Sequence, residues 1–275
     1  MRIEIVDVFA ETKYTGNQLA VVRDAGELST GQMQAIARET NFSETTFVTH
    51  QFDDAAAVRI FTPGYELPFA GHPTLGTAWV LGRDKPCFHL DLEIGRVTVR
   101  FERESGICWM EPPAPILGET LSRDTAARLL SLDTRQLDAT LPSQRVEIGP
   151  KFLFVALKDL AALKQACLTQ ATYTEYFEAG LDVHAVFLFA PEAYSADADY
   201  SARLFFDGGG IREDPATGSA NSGFAAYLRA HLDRPVDIIV EQGFEIQRPS
   251  RLYLKADTEI SVGGKVQPVM LGVLA

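Results

Sequence analysis

Four polar side chains stand where chemistry is easily built. Glu44 lies in Asn41-Phe-Ser-Glu-Thr45, between the end of an expected helix and the start of an expected strand. A carboxylate at such a junction projects into a cleft, and partial loss of water raises its pKa toward the range of a general base. The alternative is a solvated turn residue or a cap partner of Asn41. His72 lies in Phe69-Ala-Gly-His72, a glycine-bearing turn ahead of a helix. There it reads as a general acid, a substrate-binding donor, or a packed histidine beside Pro73. Asp214 precedes Pro215, so it is either an N-cap with proline in the first helical position or a site carboxylate. Ser219 has the same two readings. Gly71 and Gly218 serve either backbone shape or the delivery of N–H groups to an anion.

The stretches that carry these residues repeat. Glu66–Leu81 falls on Glu213–Leu228 with a shift of 147 positions and no gap. Glu66, Pro68, Gly71, Gly76, Ala78 and Leu81 meet identical residues, and His72 meets Ser219. A weaker echo relates Ala20–Leu28 to Val155–Leu163. In both halves a tight turn opens a helix, and Pro73 suits a first helical position. Each turn leaves N–H groups unsatisfied at a helix start, which makes a pocket for an anion. A duplicated scaffold with two such pockets facing one cleft is therefore expected.

Around the turns, period-two segments read as strands over 2–9, 19–22, 45–49, 58–62, 88–92, 97–101 and 107–110. Further strands are expected over 146–148, 152–157, 185–190, 200–206, 238–242, 250–254 and 259–262. Ser29 and Gln32 have capping-box spacing ahead of a helix that runs out near Thr40-Asn41. Thr125–Leu130 and Leu160–Cys167 read as short helices. Three prolines in Glu111–Pro115 stop both helix and strand. The expected fold class is α+β: two pseudo-repeated domains, each a central helix wrapped by mostly antiparallel sheet. Their expected limits are 1–115 and 116–264, with the C-terminal strand 265–275 a candidate to complete the first.

With 46% apolar and 23% charged residues in 275, the chain has a core available without staples. Net charge −12 with no basic run argues against nucleic acid as a partner. Three scattered cysteines indicate neither a disulfide framework nor a zinc site, and the histidines lack ligand spacing, so no metal is expected. No GxGxxG or GxxxxGK[ST] motif implies a nucleotide. The N-terminus has no signal-peptide profile and no stretch is apolar enough to span a membrane, so a cytoplasmic protein with no membrane partner is expected.

At Gly16-Asn, Asn41–Thr45, Arg59–Pro63, Glu66–Gly76, Glu213–Ala220, Gln242-Gly and Arg248–Ser250 the sequence resembles the PhzF-like phenazine-biosynthesis isomerases, of the diaminopimelate epimerase-like superfamily. The resemblance implies two domains of like topology with the active site between them, no cofactor or metal, and a homodimer. Its implied activity is proton transfer on a small anionic metabolite, of the trans-2,3-dihydro-3-hydroxyanthranilate isomerase kind. By motif position Glu44 is the proton-shuttling carboxylate, while His72, Asp214 and Ser219 hold and polarise the substrate. Gly71 and Gly218 would offer N–H groups to its carboxylate. Epimerases of the superfamily use two thiols at the turns, whereas Ala70 and Thr217 stand here. One carboxylate moving a proton along one face, an isomerisation, is therefore expected. A cofactor-independent epimerase or racemase, with Asp214 as second acid–base group, and a non-catalytic metabolite-binding protein are the alternatives.

Overall fold

A computed structural model describes residues 1–274, and the chain forms two units, Met1–Pro112 with residues 261–274, and Pro113–Ile260. The first begins with β1 (Arg2–Val8), β2 (Asn17–Val22), α1 (Thr30–Thr40), β3 (Glu44–Gln51) and β4 (Ala55–Phe61). The short β5 (Glu66–Leu67) leads into α2 (Gly71–Gly82), then β6 (Cys87–Leu92), β7 (Gly95–Glu102) and β8 (Ile107–Met110). The second opens with β9 (Ile116–Leu121), α3 (Arg123–Leu129), β10 (Ser143–Glu147), β11 (Lys151–Ala156), α4 (Leu160–Gln165) and α5 (Gln170–Glu178). It continues through β12 (Ala185–Ala190), β13 (Tyr200–Asp207), β14 (Ile211–Glu213), α6 (Gly218–Leu232), β15 (Val236–Gln242) and β16 (Ser250–Ala256). β17 (Ile260–Gly264) pairs with β8 through Val262–Gly264, and β18 (Val266–Val273) pairs with β1.

The repeat seen in the sequence is a repeat of topology. In the first unit hydrogen bonding runs β18-β1-β2-β3-β4-β6-β7, and in the second β9-β10-β11-β12-β13-β15-β16. Read pairwise, both series are antiparallel, antiparallel, parallel, antiparallel, parallel, antiparallel. β5 adds to β4 and β14 adds to β13, each antiparallel, just ahead of the central helix. The α+β, mostly antiparallel class expected from the sequence is the one found.

Each central helix is held by burial. All of Gly71–Ala78 is buried, and α2 packs on β1, β2, β3, β6, β7 and β8. A helix apolar nearly all round has to be a core helix. Gly76 lets it approach: a Cβ there would stand 2.6 Å from Val8 Cγ2 and 2.7 Å from Leu19 Cδ2. Gly223 occupies the matching place in α6, where a Cβ would meet Val146 Cγ1 at 2.9 Å. Aromatic rings fill the space beneath α6, with Phe224 and Phe189 centroids 4.4 Å apart and Tyr227 donating its hydroxyl to the Pro142 carbonyl at 2.7 Å.

Strand pleating sends alternate residues to the outer helices. Ala20, Val22 and Phe47 meet Met33 and Ala37 of α1, which starts in the expected Ser29/Gln32 capping box and ends at Asn41 with φ 53°. In the second unit Val186 and Leu188 meet α3 and α4 residues such as Leu129 and Leu163. Four elements, β5, β9, β14 and α5, have no counterpart in the sequence expectations. None holds a fully buried side chain, so none writes an apolar period. Two expected helix starts are also corrected. Pro73 is the third helical residue, not the first, and α6 begins at Gly218 rather than Pro215. Proline is tolerated at the third position because an N–H there has no acceptor within the helix. Asp214 and Ser219 are consequently not N-caps; Ala70 and Thr217 are. Among the described residues no helix is long and apolar enough to cross a membrane.

The glycine contacts carry an expected ranking. Alanine gains about 1 kcal/mol of helix propensity over glycine, against an overpacking cost of roughly 1–3 kcal/mol. Because the clash is tighter at Gly76, Gly76→Ala should lose more stability than Gly223→Ala in urea unfolding. Equal midpoints for the two variants would refute the close-approach account.

Candidate active site

Strand parity explains how the first unit assembles its polar cluster. Thr46 Oγ1 lies 2.8 Å from Thr77 Oγ1 of α2, so the face of β3 holding Thr46 faces that helix. Glu44, two residues earlier, shares this face. Leu19 of β2 touches the α2 face beside Gly76, and Asn17 shares its parity. β2 and β3 run parallel with Leu19 opposite Glu44. The starts of both strands thereby bring Asn17 and Glu44 to His72, the second residue of α2. His72 Nδ1 is 3.3 Å from Asn17 Nδ2 and 3.5 Å from Glu44 Oε2. Nδ1 accepts from the amide or donates to the carboxylate according to which ring nitrogen carries the proton.

His72 is 3% exposed, and its Nε2 makes no hydrogen bond of ordinary geometry among the described residues. Burial pushes its pKa down to about 3, while the backbone of Gln18 pulls weakly the other way. The ring is therefore neutral near pH 7 and polarises a partner as a neutral donor. Glu44 keeps 16% of its side chain exposed, enough to meet a ligand without being a solvated surface group. Tyr65 is a neighbour of this carboxylate: burial raises its phenol pKa first, and the charge of Glu44 adds to the rise.

The backbone completes the cluster. Ala70 caps α2 in extended conformation and offers no side-chain oxygen. The first intrahelical bond runs from the Thr74 N–H to the Ala70 carbonyl at 3.2 Å. Gly71 and His72 thus present N–H groups that the helix cannot use, and Pro73 has none. With the positive end of the helix dipole behind them, they make a cradle that can receive an anion.

The second unit builds an analogous start with other side chains. The first bond of α6 runs from the Asn221 N–H to the Thr217 carbonyl at 3.0 Å, leaving the N–H groups of Gly218, Ser219 and Ala220 without helical acceptors. Thr217 does not cap them, because its hydroxyl donates to Asp214 Oδ2 instead. Asp214 and Ser219 are both buried, and the Asp214 N–H donates to the Leu204 carbonyl at 3.0 Å. Ahead of each cradle an arginine grips a glutamate with both arms of its fork. Arg59 Nε and an Arg59 terminal nitrogen lie 2.7 and 2.6 Å from Glu66, and the matching Arg203 atoms lie 3.1 and 2.7 Å from Glu213. Such bidentate pairs fix the strand that feeds the turn.

Glu44, His72 and Gly71 are thus brought together in the first unit, and Asp214, Gly218 and Ser219 in the second. Three further residues, Asn17, Thr217 and Gln242, hold these sets and were not singled out by residue type. Their available signals were the parity of β2 for Asn17 and, for Gln242, the Gln242-Gly stretch that carries the family resemblance. Among the described residues no cluster of three or more His, Cys, Asp or Glu side chains is arranged to hold a metal ion.

Comparison with known proteins agrees with this fold. Residues 6–272 match the family model PhzC-PhzF, described as phenazine biosynthesis-like protein. The chain is 38% identical over 264 residues to a trans-2,3-dihydro-3-hydroxyanthranilate isomerase of Pseudomonas aeruginosa, covering 93% of this chain and 90% of the relative. A PhzF-family phenazine biosynthesis protein of Bacillus anthracis superposes with a TM-score of 0.88 at 26% identity, over 100% of this chain and 99% of the other. A probable proline racemase of Agrobacterium radiobacter shares the fold at 14% identity, with a TM-score of 0.64 over 100% of this chain and 92% of that one. Curated relatives at 35–38% identity are named isomerases. The chain is an isomerase belonging to the PhzC-PhzF family of phenazine biosynthesis-like proteins.

Proposed function

We propose that this isomerase moves a proton, and with it a double bond, within a small cyclic amino or hydroxy carboxylic acid, without a cofactor. The observation that carries the reading is the Glu44 carboxylate set 3.5 Å from a buried, neutral His72 at an uncapped helix start. The substrate carboxylate rests on the N–H groups of Gly71 and His72. Glu44 takes a proton from an acidified carbon, leaving the electron pair delocalised into the neighbouring unsaturated system. The helix start and His72 stabilise the charge that develops. Glu44, whose carboxyl proton exchanges with solvent, then returns a proton to another carbon of that system, so the proton count balances and the double bond has shifted. The kinship with trans-2,3-dihydro-3-hydroxyanthranilate isomerases, whose named substrate carries carboxylate, amino and hydroxyl groups, makes that compound the first to try.

Incubation with trans-2,3-dihydro-3-hydroxyanthranilate in D₂O tests the reaction. A positioned acid–base group contributes about 10²–10⁴-fold, roughly 3–5 kcal/mol of barrier, so Glu44→Gln should lose that much rate. Deuterium entering product equally with wild type and Glu44→Gln would remove Glu44 from its role. Isomer-resolved analysis should find a shifted double bond; inversion at one carbon with the double bond unmoved would favour epimerisation.

The neutral His72 also sets an acid limit on stability. Its folded pKa of about 3 lies below the ordinary histidine value of 6.5, so between these limits the unfolded chain binds a proton that the folded protein refuses. Stability should therefore fall as pH drops from about 6.5 toward 3, by up to roughly 1.4 kcal/mol per pH unit for this one group. Urea unfolding from pH 7 to 4.5 should show a shallower acid loss in His72→Gln than in wild type. Parallel curves would show that His72 ionises freely in the folded protein.

A further inference from the structure

The hairpin that leads into α2 carries a large aromatic side chain that little covers. Tyr65 stands just before β5 and is 59% exposed. Among the described residues its phenol makes no hydrogen bond and its ring meets no other ring. Strand register places it. β3 and β4 are antiparallel with Thr45 opposite Phe61, and β4 and β5 are antiparallel with Phe61 opposite Glu66. One step further along, Glu44 stands opposite Thr62, and Thr62 opposite Tyr65, whose carbonyl accepts the Thr62 N–H at 2.8 Å. Residues opposite one another in an antiparallel pair project from the same face. Glu44, Thr62 and Tyr65 therefore form a row across three strands, on the face that β3 turns toward α2 and His72.

Neighbouring strands are separated by about 4.8 Å, so the two ends of this row are roughly 10 Å apart at the backbone. Thr62 between them is short, and its hydroxyl is spent on its own turn. It donates to the Tyr65 carbonyl at 2.9 Å and accepts from the N–H groups of Gly64 at 3.2 Å and Tyr65 at 3.0 Å. A gap thus lies over Thr62, with a carboxylate on one side and an aromatic ring on the other. The same bonds stiffen the turn, and the Arg59 fork fastens the next residue, Glu66. A tyrosine on a rigid turn loses little conformational freedom when a ligand covers it. In the second unit Arg212 stands at the matching place, directly before Glu213 and opposite Phe206. The ring is therefore no requirement of the hairpin; it belongs to the half that carries Glu44.

We infer that Tyr65 is a specificity-determining residue: its ring packs on the face of a flat, unsaturated carbocyclic acid held over Thr62 with its reacting carbon at Glu44. The inference rests on the role proposed above for Glu44. Covering the tyrosine removes apolar area from water and adds an aromatic contact, gains that only a cyclic ligand collects. An acyclic acid of the same charge reaches the Gly71/His72 cradle and leaves Tyr65 bare.

The test is calorimetric titration of the full-length protein with benzoate, which has the carboxylate and a flat ring, and with acetate, which has the carboxylate alone. Wild type should bind benzoate more tightly than acetate. Tyr65→Ala should weaken benzoate by about 10-fold and leave acetate unchanged, since only the ring loses its partner. Tyr65→Phe keeps the ring and should hold benzoate within about twofold of wild type. Folding is not at stake at so exposed a position, and equal urea midpoints would verify that. With trans-2,3-dihydro-3-hydroxyanthranilate as substrate, Tyr65→Ala should raise KM by about 10-fold at unchanged kcat, the mark of binding lost equally from ground and transition states. Benzoate binding no tighter than acetate in wild type, equal benzoate affinity in wild type and Tyr65→Ala, parallel losses of both acids, or a Phe variant as weak as the Ala variant would each overturn the inference. The binding arm reads the ring contact whether or not that compound is turned over. Undiminished turnover in Glu44→Gln would instead sink the proposed reaction, which is a different result.

Discussion

Two helices begin inside this protein with no side chain to cap them, and most of the local architecture follows from that. An uncapped start leaves backbone N–H groups without acceptors, which is costly when buried and is usually avoided with a serine, threonine or aspartate. At α2 the N-cap is Ala70, which has nothing to offer, and at α6 the N-cap threonine turns its hydroxyl away toward Asp214. Both helices start on the smallest residue, Gly71 or Gly218. Stability given up at these points is recovered by packing: α2 is buried almost throughout, and α6 lies on interlocked aromatic rings.

The two halves solve the same positioning problem with different chemistry. An arginine–glutamate fork steadies the approach to each turn, and the second is the more deeply buried, with side-chain exposures of 10% and 7% against 32% and 30%. Arg203 also donates to the carbonyls of Leu163 and Ala166 at 3.1 and 3.0 Å, tying the end of α4 to β13. Beyond the forks the halves diverge. The first presents a carboxylate and a neutral imidazole supplied by separate chain segments. The second presents a carboxylate that accepts the Thr217 hydroxyl, in a turn braced by a glutamine of a neighbouring strand. A duplicated frame has thus become a chemically unequal pair.

Much of this was legible in the chain. The Glu66–Leu81 and Glu213–Leu228 echo named both central helices, and the matching Gly76 and Gly223 mark the points where each touches its sheet. The Ser29/Gln32 spacing located α1 because a capping box is a short-range device. β9 and α5 were hidden, since exposed segments carry no apolar period. The helix starts were misjudged for a related reason. Asp-Pro and Gly-His-Pro look like ordinary N-terminal signals, but Ala70 has no cap oxygen and the Thr217 hydroxyl is spent on Asp214, so the usual cap is absent.

Residue type and spacing determined that Glu44, His72, Asp214 and the two glycines were worth attention, because each of those side chains or backbone freedoms has a narrow range of uses. Partnership was decided only in three dimensions. Glu44 meets His72 because strand parity and parallel register turn both toward one helix end, and that depends on which strands pair. Histidine charge, likewise, could not be read from the chain: the low pKa of His72 comes from burial, a property of everything packed around it. The part played by Gln242 was the least visible of all, since a glutamine acquires meaning only from the groups its two amide ends happen to reach.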